Sequence, residues 1–229
     1  MRVLVACEES QEVCKAFRTA GHEAYSCDLQ DCTGGKPEWH IMGDCLPLLD
    51  GRCSFFTQGG QWVNIPDKWD LIIAHPPCTF LTLTGNRWFN VEQYGKKAEQ
   101  RWKDRVEAAV FFMRFVSADC DRIAIENPIG IMGTAYRKAD QIIQPWMFAE
   151  DESEQTEKST CLWLKNLPPL VPKTTVKPEM KYHVSKSGKR QTEWYYRTRC
   201  LPHSERAKAA SKTFSWVARA MCEQWGAET

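Results

Sequence analysis

The sequence lacks a long hydrophobic run, an excess of one charge and any C-x-x-C pair, and each absence excludes a class of protein. Its most apolar stretches, 71–74 and 108–113, fall far short of the ~20 residues that cross a bilayer. Lysine and arginine total 30 against 29 for aspartate and glutamate, so a net charge of +1 gives no global attraction to nucleic acid or membrane. A polyanionic partner must therefore be bound by a local basic patch.

Cysteine is abundant but follows no disulfide or metal pattern. The 11 cysteines are scattered through the chain, and their odd number favours reduced thiols over a disulfide framework or a zinc ribbon. A metal cluster would have to use residues from strand-like or apolar contexts, where cysteine is commonly a small buried side chain. These residues are Cys27, Cys32, His40, Cys45 and Cys53. We therefore expect no metal.

The first residues also lack the features of a secretory signal. Residues 1–6 run directly into Cys7, Glu8 and Glu9, without a long apolar segment or a small-residue cleavage site. We expect a cytoplasmic protein with no membrane partner and no obligatory protein partner.

Short apolar runs alternate with helical patterns along most of the chain. Strands are predicted at 2–6, 23–27, 39–42, 70–74, 122–126, 142–148 and 160–164. Between them, one helix is expected to start at Ser10 as its N-cap and to end at Gly21, and a longer helix is expected over 91–117. The alternation predicts an α/β fold, a Rossmann-like and mostly parallel doubly wound sheet.

Two helices are expected to pack on this sheet through apolar stripes at helical spacing. The stripe of the long helix comprises Val106, Ala109, Val110, Met113 and Val116. The stripe of the closing helix comprises Phe214, Val217, Ala218, Met221 and Trp225.

Polar or reactive residues directly follow the predicted strands, at the sheet edge where doubly wound folds bind ligands. They are Cys7, Glu8 and Glu9, then Asp28, then Asp44, then residues 75–78, and finally Glu126, Asn127 and Pro128. This edge is therefore the predicted functional site.

Cys78 is the candidate nucleophile of this site. Pro76 and Pro77 stiffen the backbone before it, and the polar run 79–86 behind it suggests a mobile loop. A free thiol, with a pKa of about 8.5, is only a few per cent thiolate at neutral pH, so it needs a nearby base or cation. His75 and Arg87 are the candidates, although a thiol after an apolar strand is also commonly a packing residue.

Glu126 ends an otherwise apolar strand, where burial is expected to raise its pKa. A carboxyl that keeps its proton can bind or protonate a ring nitrogen while a neighbouring thiolate adds to a ring carbon. The alternative is a glutamate that caps a loop through backbone N–H groups.

The composition shifts after residue 172. Between 173 and 212, 11 basic residues face three acidic ones: Lys173, Lys177, Lys181, Lys186, Lys189, Arg190, Arg197, Arg199, Arg206, Lys208 and Lys212 against Glu179, Glu193 and Glu205. Trp194, Tyr195 and Tyr196 lie among them. Such a stretch can contact phosphates and stack on bases, or it can be a solvated surface over a packed hairpin.

The order of these motifs resembles that of the C5-cytosine DNA methyltransferases, and of their short, phage-type members in particular. The run 70–78 with Thr84-Gly85 is similar to the family's Pro-Cys motif and following loop, and Glu126-Asn127-Pro128 to its Glu-Asn-Val motif. Gly43-Asp44 and Asp28 match acidic positions after the third and second strands, and Lys212-Thr213-Phe214 resembles the closing motif.

The resemblance implies S-adenosylmethionine as methyl donor and DNA, double- or single-stranded, or a cytosine nucleotide as substrate. Cys78 would add to C6 of cytosine, Glu126 would engage N3 and the exocyclic amine, and Asn127 would hold the glutamate loop. The implied cofactor residues are Cys7, Glu8, Ser10, Asp28, Leu29, Asp44, Cys45 and Pro76, with Asp28 on the ribose and Asp44 on the adenine amine. The implied substrate residues are Pro77, Thr79, Arg87, Lys158, Thr160, Arg190, Arg197 and Arg199.

Three departures from the family pattern keep other functions open. The first loop, 6–11, contains no glycine, Thr79 replaces the usual glutamine, and Lys158-Ser159-Thr160 supplies one cation where the family has two. The expected division is a catalytic core over 1–165, a basic aromatic insert over 166–205 in place of a target-recognition domain, and a closing helix over 206–229. The alternatives are modification of a free pyrimidine nucleotide or RNA, and an inert relative that only binds nucleic acid.

Overall fold

Eleven strands and seven helices make up the computed structural model, which describes residues 1–185 and 188–227. The strands are β1 Arg2–Ala6, β2 Glu23–Asp28, β3 His40–Met42, β4 Cys53–Phe56, β5 Trp62–Ile65, β6 Leu71–Ala74, β7 Ile123–Pro128, β8 Gln141–Ile143, β9 Thr160–Lys165, β10 Tyr182–Val184 and β11 Arg190–Thr192. The helices are α1 Glu12–Thr19, α2 Val91–Tyr94, α3 Lys96–Val116, α4 Met132–Ala135, α5 Glu193–Cys200, α6 His203–Ser211 and α7 Ser215–Trp225.

Seven of the strands form one sheet in the order β3-β2-β1-β6-β7-β9-β8. The pairs from β3 to β7 are parallel, whereas β9 runs antiparallel between β7 and β8. The strand order reverses between β1 and β6, and doubly wound sheets bind their ligands outside the carboxyl ends at such a reversal. The predicted α/β, Rossmann-like, mostly parallel sheet is confirmed.

The two central strands are buried on both faces, as their continuous apolar runs predict. Val3 and Val5 of β1 and Ile73 of β6 belong to a core cluster shared with α1 and α7. The alternate residues, such as Leu4 and Ile72, belong to a second cluster that includes Phe112 and Phe115 of α3. The predicted core face of the closing helix α7 is confirmed, since all five of its residues are buried.

The start of α1 differs from the prediction that Ser10 is its N-cap. The helix begins after Gln11, whose φ is 60°, and no side chain caps it from that position. Instead, the carboxylate of Glu8 accepts hydrogen bonds from the backbone N–H groups of Val13 (2.7 Å) and Cys14 (3.2 Å). A carboxylate suits this place because the first N–H groups of a helix lack intrahelical partners and carry partial positive charge.

The predicted long helix is divided at Gly95, whose φ of 51° favours glycine, into α2 and α3. The predicted apolar face is wrong for Val106, Val110 and Met113, which are 61%, 59% and 37% exposed. Phe112 and Phe115 occupy the core instead, because they bury more apolar surface than the valines would.

Three further segments differ from the sequence-based expectation. The hairpin β4–β5 was not predicted. The strand predicted at 142–148 covers only β8 and then gives way to a 3-10 turn at Pro145–Met147, because proline cannot donate to the ladder. The basic segment forms the β10–β11 hairpin, α5 and α6. The boundary expected at 205/206 falls within α6. Among the described residues, no helix is both long and apolar enough to span a bilayer.

Candidate active site at the carboxyl ends of the strands

The His75-Pro76-Pro77-Cys78 run leaves β6 at the central edge of the sheet. The carbonyl oxygen of Cys78 accepts hydrogen bonds from the backbone N–H groups of Leu81 (3.0 Å) and Thr82 (2.9 Å), which folds the chain sharply after the thiol. Cys78 is half-buried, and Pro77 and Thr79 on either side are exposed. The thiol is thus held at a strand end with exposed neighbours.

A buried amide joins this turn to the end of β7. Asn127, which is only 2% exposed, donates through Nδ2 to the carbonyl oxygen of Pro76 at 2.6 Å. The backbone N–H of Ile131 donates to the carbonyl of Leu81 at 2.8 Å, and a Cβ on Gly130 would lie 2.2 Å from that same oxygen. The loop after Cys78 and the loop after Glu126 therefore form one packed unit.

Glu126 does not have the raised pKa expected from its sequence position. Burial does raise the pKa of its carboxyl. However, the hydrogen bond from His75, with Nδ1 to Oε2 at 3.1 Å, the His75 and Lys158 charges and the Thr160 hydroxyl outweigh burial and bring the pKa below its usual range. Glu126 is therefore a carboxylate at neutral pH, and the expected protonated acid is wrong. The alternative of a loop-capping glutamate has no support either, because the hydrogen-bond partner found for it is a side chain.

Cys78, by contrast, has a raised pKa. Burial is the main cause, the negative charge of Glu126 adds to it, and Lys158 opposes it. His75 binds Glu126 rather than the thiol. Arg87 is exposed, with its guanidinium over the Trp88 ring at 4.5 Å. In the free protein the thiol is thus protonated and lies within reach of the charge of an ionised carboxylate.

The segment expected to be a mobile loop after Cys78 is a 3-10 helix over Leu83–Phe89. Two arginines of α3 bind it: Arg105 donates to the carbonyl of Phe80 (2.8 Å) and to the Asn86 side chain (2.7 Å), and Arg101 donates to the carbonyl of Thr79 (3.3 Å). Sequence reasoning missed both arginines. The available signal was a charged residue, Arg105, at the helical spacing of the buried apolar residues Ala98 and Phe112.

A small pocket, with a volume of about 20 Å³ and open to solvent, lies beside Glu126. Lys158 and Thr160, predicted as substrate residues, line it together with Thr213 and Phe214 of the predicted closing motif. The remaining lining is apolar and comes from Ile143, Pro145, Val217 and Met221. The fold thus brings three separate predicted motifs to one cavity.

Most of the predicted cofactor residues lie on the other side of β6 from Glu126, at the ends of β1, β2 and β3. Leu29 is 77% exposed, Asp44 is exposed and Asp28 is half-buried. Asp28 accepts the N–H of Gln30 (3.0 Å) and Asp44 that of Leu46 (3.0 Å), each through Oδ1. Pro76, at the Cys78 end, is buried and contributes its carbonyl to Asn127.

The first loop is more closed than a glycine-rich loop would be. Cys7 and Gln11 both adopt positive φ, 59° and 60°, a conformation that costs a non-glycine residue roughly 1 kcal/mol or more. Ser10 is buried, and a Cβ on Gly34 would lie 2.5 Å from its carbonyl oxygen. Cys7 lies 3.9 Å from buried Cys45, sulfur to sulfur. The side chains of Glu8 and Ser10 are thus enclosed by the protein.

The basic segment presents fewer free groups than its composition suggests. Arg197 is bound to Glu193 (2.5 Å), Arg190 lies over the Tyr182 ring (4.2 Å), and Trp194 packs on Phe214 (5.1 Å). Arg199 and Lys189 are exposed, as are Tyr195 and Tyr196, although Tyr196 stacks on His183 at 4.0 Å. Lys186, also part of the predicted surface, lies outside the described residues.

Comparison with known proteins found similarity among solved structures. No family model and no curated protein matches the chain. One solved structure to which it is similar is a candidate DNA modification methyltransferase encoded within an E. coli prophage, at 12% identity and a TM-score of 0.41. The match covers 86% of this chain and 64% of that one, so this chain spans under two thirds of its neighbour's length.

Proposed function

We propose that this protein transfers a methyl group from S-adenosylmethionine to C5 of cytosine in DNA, through a covalent bond between Cys78 and C6. The observation that carries the proposal is the hydrogen bond from Asn127 to the Pro76 carbonyl at 2.6 Å. It places a thiol and an ionised carboxylate on one unit, at the edge where a doubly wound sheet binds ligands. A thiol and a carboxylate are the two groups that addition to a cytosine ring needs.

The residues at the ends of β2 and β3 fit the adenosine part of the cofactor. Within the described chain, Asp28 and Asp44 each give one carboxylate oxygen to the loop that follows, and the second oxygen suits a ribose hydroxyl or an adenine amine. The exposed Leu29 side chain adds an apolar surface between them. We assign Cys7, Cys45 and Pro76 to the floor of this site, whereas Glu8 and Ser10 act only through the loop that they stabilise.

S-adenosylmethionine supplies an electrophilic methyl group, and the residues of this chain make the ring carbon nucleophilic. As the sulfur of Cys78 bonds to C6, the thiol proton passes to Glu126 and from there to N3, where electron density from the C5–C6 double bond accumulates. C5 then carries the nucleophilic electron pair of an enamine and takes the methyl group. Loss of the C5 proton to water breaks the S–C6 bond, and the N3 proton returns through Glu126. One hard step is thus divided into two easier ones.

The opposite pKa directions of Cys78 and Glu126 suit this sequence. The protonated thiol and the ionised carboxylate of the free protein keep the nucleophile inactive without substrate. A cytosine that places N3 beside Glu126 gives the thiol proton a destination. Lys158, which lines the same pocket and opposes the raised pKa of Cys78, favours the thiolate as the proton leaves.

We propose DNA as the preferred substrate because exposed groups that can contact a strand flank the thiol, and a base of a duplex would leave the stack to reach Cys78. Pro77, Thr79 and Arg87 flank the thiol, and Arg190, Arg197 and Arg199 extend the surface along the segment 166–205. We propose that this segment serves in place of a base-reading domain, beside the core 1–165 and the closing part 206–229. Low sequence specificity would follow.

A DNA duplex that carries 5-fluorocytosine tests the proposal. Fluorine at C5 cannot leave as a proton, so the enzyme should remain bonded to the methylated base when the cofactor is present. We expect one adduct at Cys78 by mass spectrometry, none in Cys78→Ala, and an unchanged adduct in the control Cys200→Ser, which changes an exposed thiol. Turnover on normal DNA without an adduct, or an adduct at another cysteine, would refute the assignment.

Modification of a free cytosine nucleotide is the second candidate. It is favoured because cations of the basic segment already pair with glutamates of this chain. Arg197 is bound to Glu193 and Lys177 to Glu157, at 2.5 and 2.6 Å. The same trap with fluorinated nucleotide monophosphate or RNA separates the substrates. DNA as substrate predicts binding that weakens steeply with salt, and a shallower salt dependence when Lys189, Arg190, Arg197 and Arg199 are neutralised together. An adduct with the mononucleotide alone would favour the second candidate.

A further inference from the structure

His75 contacts the Glu126 carboxylate, and the mechanism above leaves its role unassigned. Its side chain is 9% exposed, and Nδ1 meets Oε2 of Glu126 at 3.1 Å. Its second nitrogen, Nε2, is buried and makes no hydrogen bond to any described residue. Such a buried polar atom is costly unless the site uses it.

The second carboxylate near the ring is Glu8. The His75 charge acts on Glu8 as well as on Glu126, in each case favouring the ionised carboxylate. Glu8 is itself fixed, because both of its oxygens accept N–H groups at the start of α1. His75 therefore influences two glutamate side chains that come from different strand ends.

From this geometry we infer that His75 is the positioning residue of the site, which binds one oxygen of Glu126 and thereby directs the other oxygen to the substrate ring. The inference rests on the proposed function and adds a residue that the resemblance does not assign. With Oε2 held by the imidazole, we assign to Oε1 the exchange of a proton with N3, in place of its contact with the Thr160 hydroxyl. His75 also keeps Glu126 in the ionised form that accepts the thiol proton.

Other charged groups around the pair do not replace His75. Lys158, from the loop before β9, lines the pocket on the other side of Glu126, and its ammonium already lies 3.5 Å from the Lys212 carbonyl. Burial raises the pKa of Cys78 and of Cys161 and the Glu126 charge adds to it, while Glu12 is a further negative charge near Glu8. Removing the imidazole leaves burial as the dominant influence on the Glu126 carboxyl.

Two substitutions separate the hydrogen bond from the charge. His75→Asn places an amide N–H close to the position of Nδ1 and retains a donor, whereas His75→Ala removes both donor and charge. We expect His75→Ala to lower kcat by about 10- to 100-fold, as loss of a hydrogen bond to a charged group should, with a smaller change in KM. His75→Asn should recover part of the loss, and the acid limb of its kcat profile should move to higher pH.

Carbon-13 NMR of the glutamate carboxyls gives a readout that does not depend on turnover. Glu126, assigned from Glu126→Gln, should titrate below the usual range in the wild type and at least about one pH unit higher in His75→Ala. His183→Asn is the matched control, because His183 also binds a glutamate, Glu193, but on the surface and away from the site. That variant should leave the Glu126 titration unchanged.

The outcomes are distinguishable. An unchanged Glu126 titration in both His75 variants overturns the inference, and so does an unchanged kcat and pH profile in a folded His75→Ala protein. If the wild type forms no adduct with 5-fluorocytosine DNA, the proposed function is refuted instead. The NMR titration then still decides whether His75 lowers the pKa of Glu126. Thermal unfolding of each variant shows whether a lost activity reflects lost folding, in which case His75→Asn carries the decision.

Discussion

Two buried glutamates at the same sheet edge behave in opposite ways. Glu8 follows β1 and accepts two backbone N–H groups of α1, yet its pKa is raised, since burial outweighs the His75 charge and these hydrogen bonds. In Glu126, within β7, the His75 hydrogen bond and neighbouring charges outweigh burial and the pKa is lowered. Burial alone therefore does not decide the direction in which the pKa of a carboxyl shifts. The partner side chains do.

The comparison extends to the two halves of the site. At the β6–β7 end, side chains from different segments bind one another, whereas at the β1–β3 end the carboxylates of Asp28 and Asp44 bind only their own loops among the described residues. The first arrangement fixes reacting groups relative to each other. The second leaves oxygens available for a ligand, and this difference supports the division into a catalytic half and a cofactor half.

The largest effect is expected when the hydrogen bond between Asn127 and the Pro76 carbonyl is removed from the catalytic half. Asn127→Ala removes the buried donor to the Pro76 carbonyl, which should cost about 1–3 kcal/mol of unfolding free energy. Turnover should fall about 100-fold, because a small displacement between reacting groups has an effect of this size. Urea unfolding and kcat measure the two consequences.

Asn64→Ala is the matched control for this variant, since Asn64 is exposed and bonds only to Ser54 among the described residues. It should change neither quantity. If Asn127→Ala turns over at the wild-type rate, the two strand ends do not need to be joined, and the contrast between the halves fails.

A smaller effect is expected in the cofactor half. Asp28→Ala should weaken the binding of S-adenosylmethionine by about 1–3 kcal/mol, the usual worth of a charge-assisted hydrogen bond. Isothermal titration measures it, with Asp67→Ala as control, because Asp67 is exposed and pairs with Arg52 beyond the opposite end of β6. Unchanged affinity in Asp28→Ala would show that the adenosine site lies elsewhere.

The sequence predicted the sheet well because its signals are local. Continuous apolar runs mark β1, β6 and β7, and the residues that follow them must lie at one edge if the strands are parallel. The same local signals predict that Cys78, Glu126, Asp28 and Asp44 lie at this edge.

What the sequence could not predict depends on pairs that are distant along the chain. The lowered pKa of Glu126 requires His75, 51 residues away, and the fixed loop after Cys78 requires Arg105 of α3. The wrong face of α3 has a similar cause, since Val106 and Val110 matched the helical period as well as Phe112 and Phe115 did. Periodicity identifies an apolar stripe but cannot say which of two stripes meets the core.

The smallest expected effect is a change of about 1 kcal/mol in the free energy of unfolding. It tests the contrast between Glu8 and Glu126 directly, with Glu8→Gln and Glu126→Gln as a matched pair. The lowered pKa of Glu126 contributes stability that is present above the ordinary glutamate pKa and lost as pH falls through the folded value. Glu126→Gln should therefore lose stability relative to the wild type as pH rises from about 3 to 6.

The raised pKa of Glu8 changes stability with pH in the reverse direction, because the folded protein binds the proton more tightly than the unfolded chain does. Glu8→Gln should gain stability relative to the wild type over the same range. Urea unfolding at several pH values should thus give difference curves of opposite slope. If both variants gained stability relative to the wild type as pH rises, burial rather than the partner groups would govern both carboxyls.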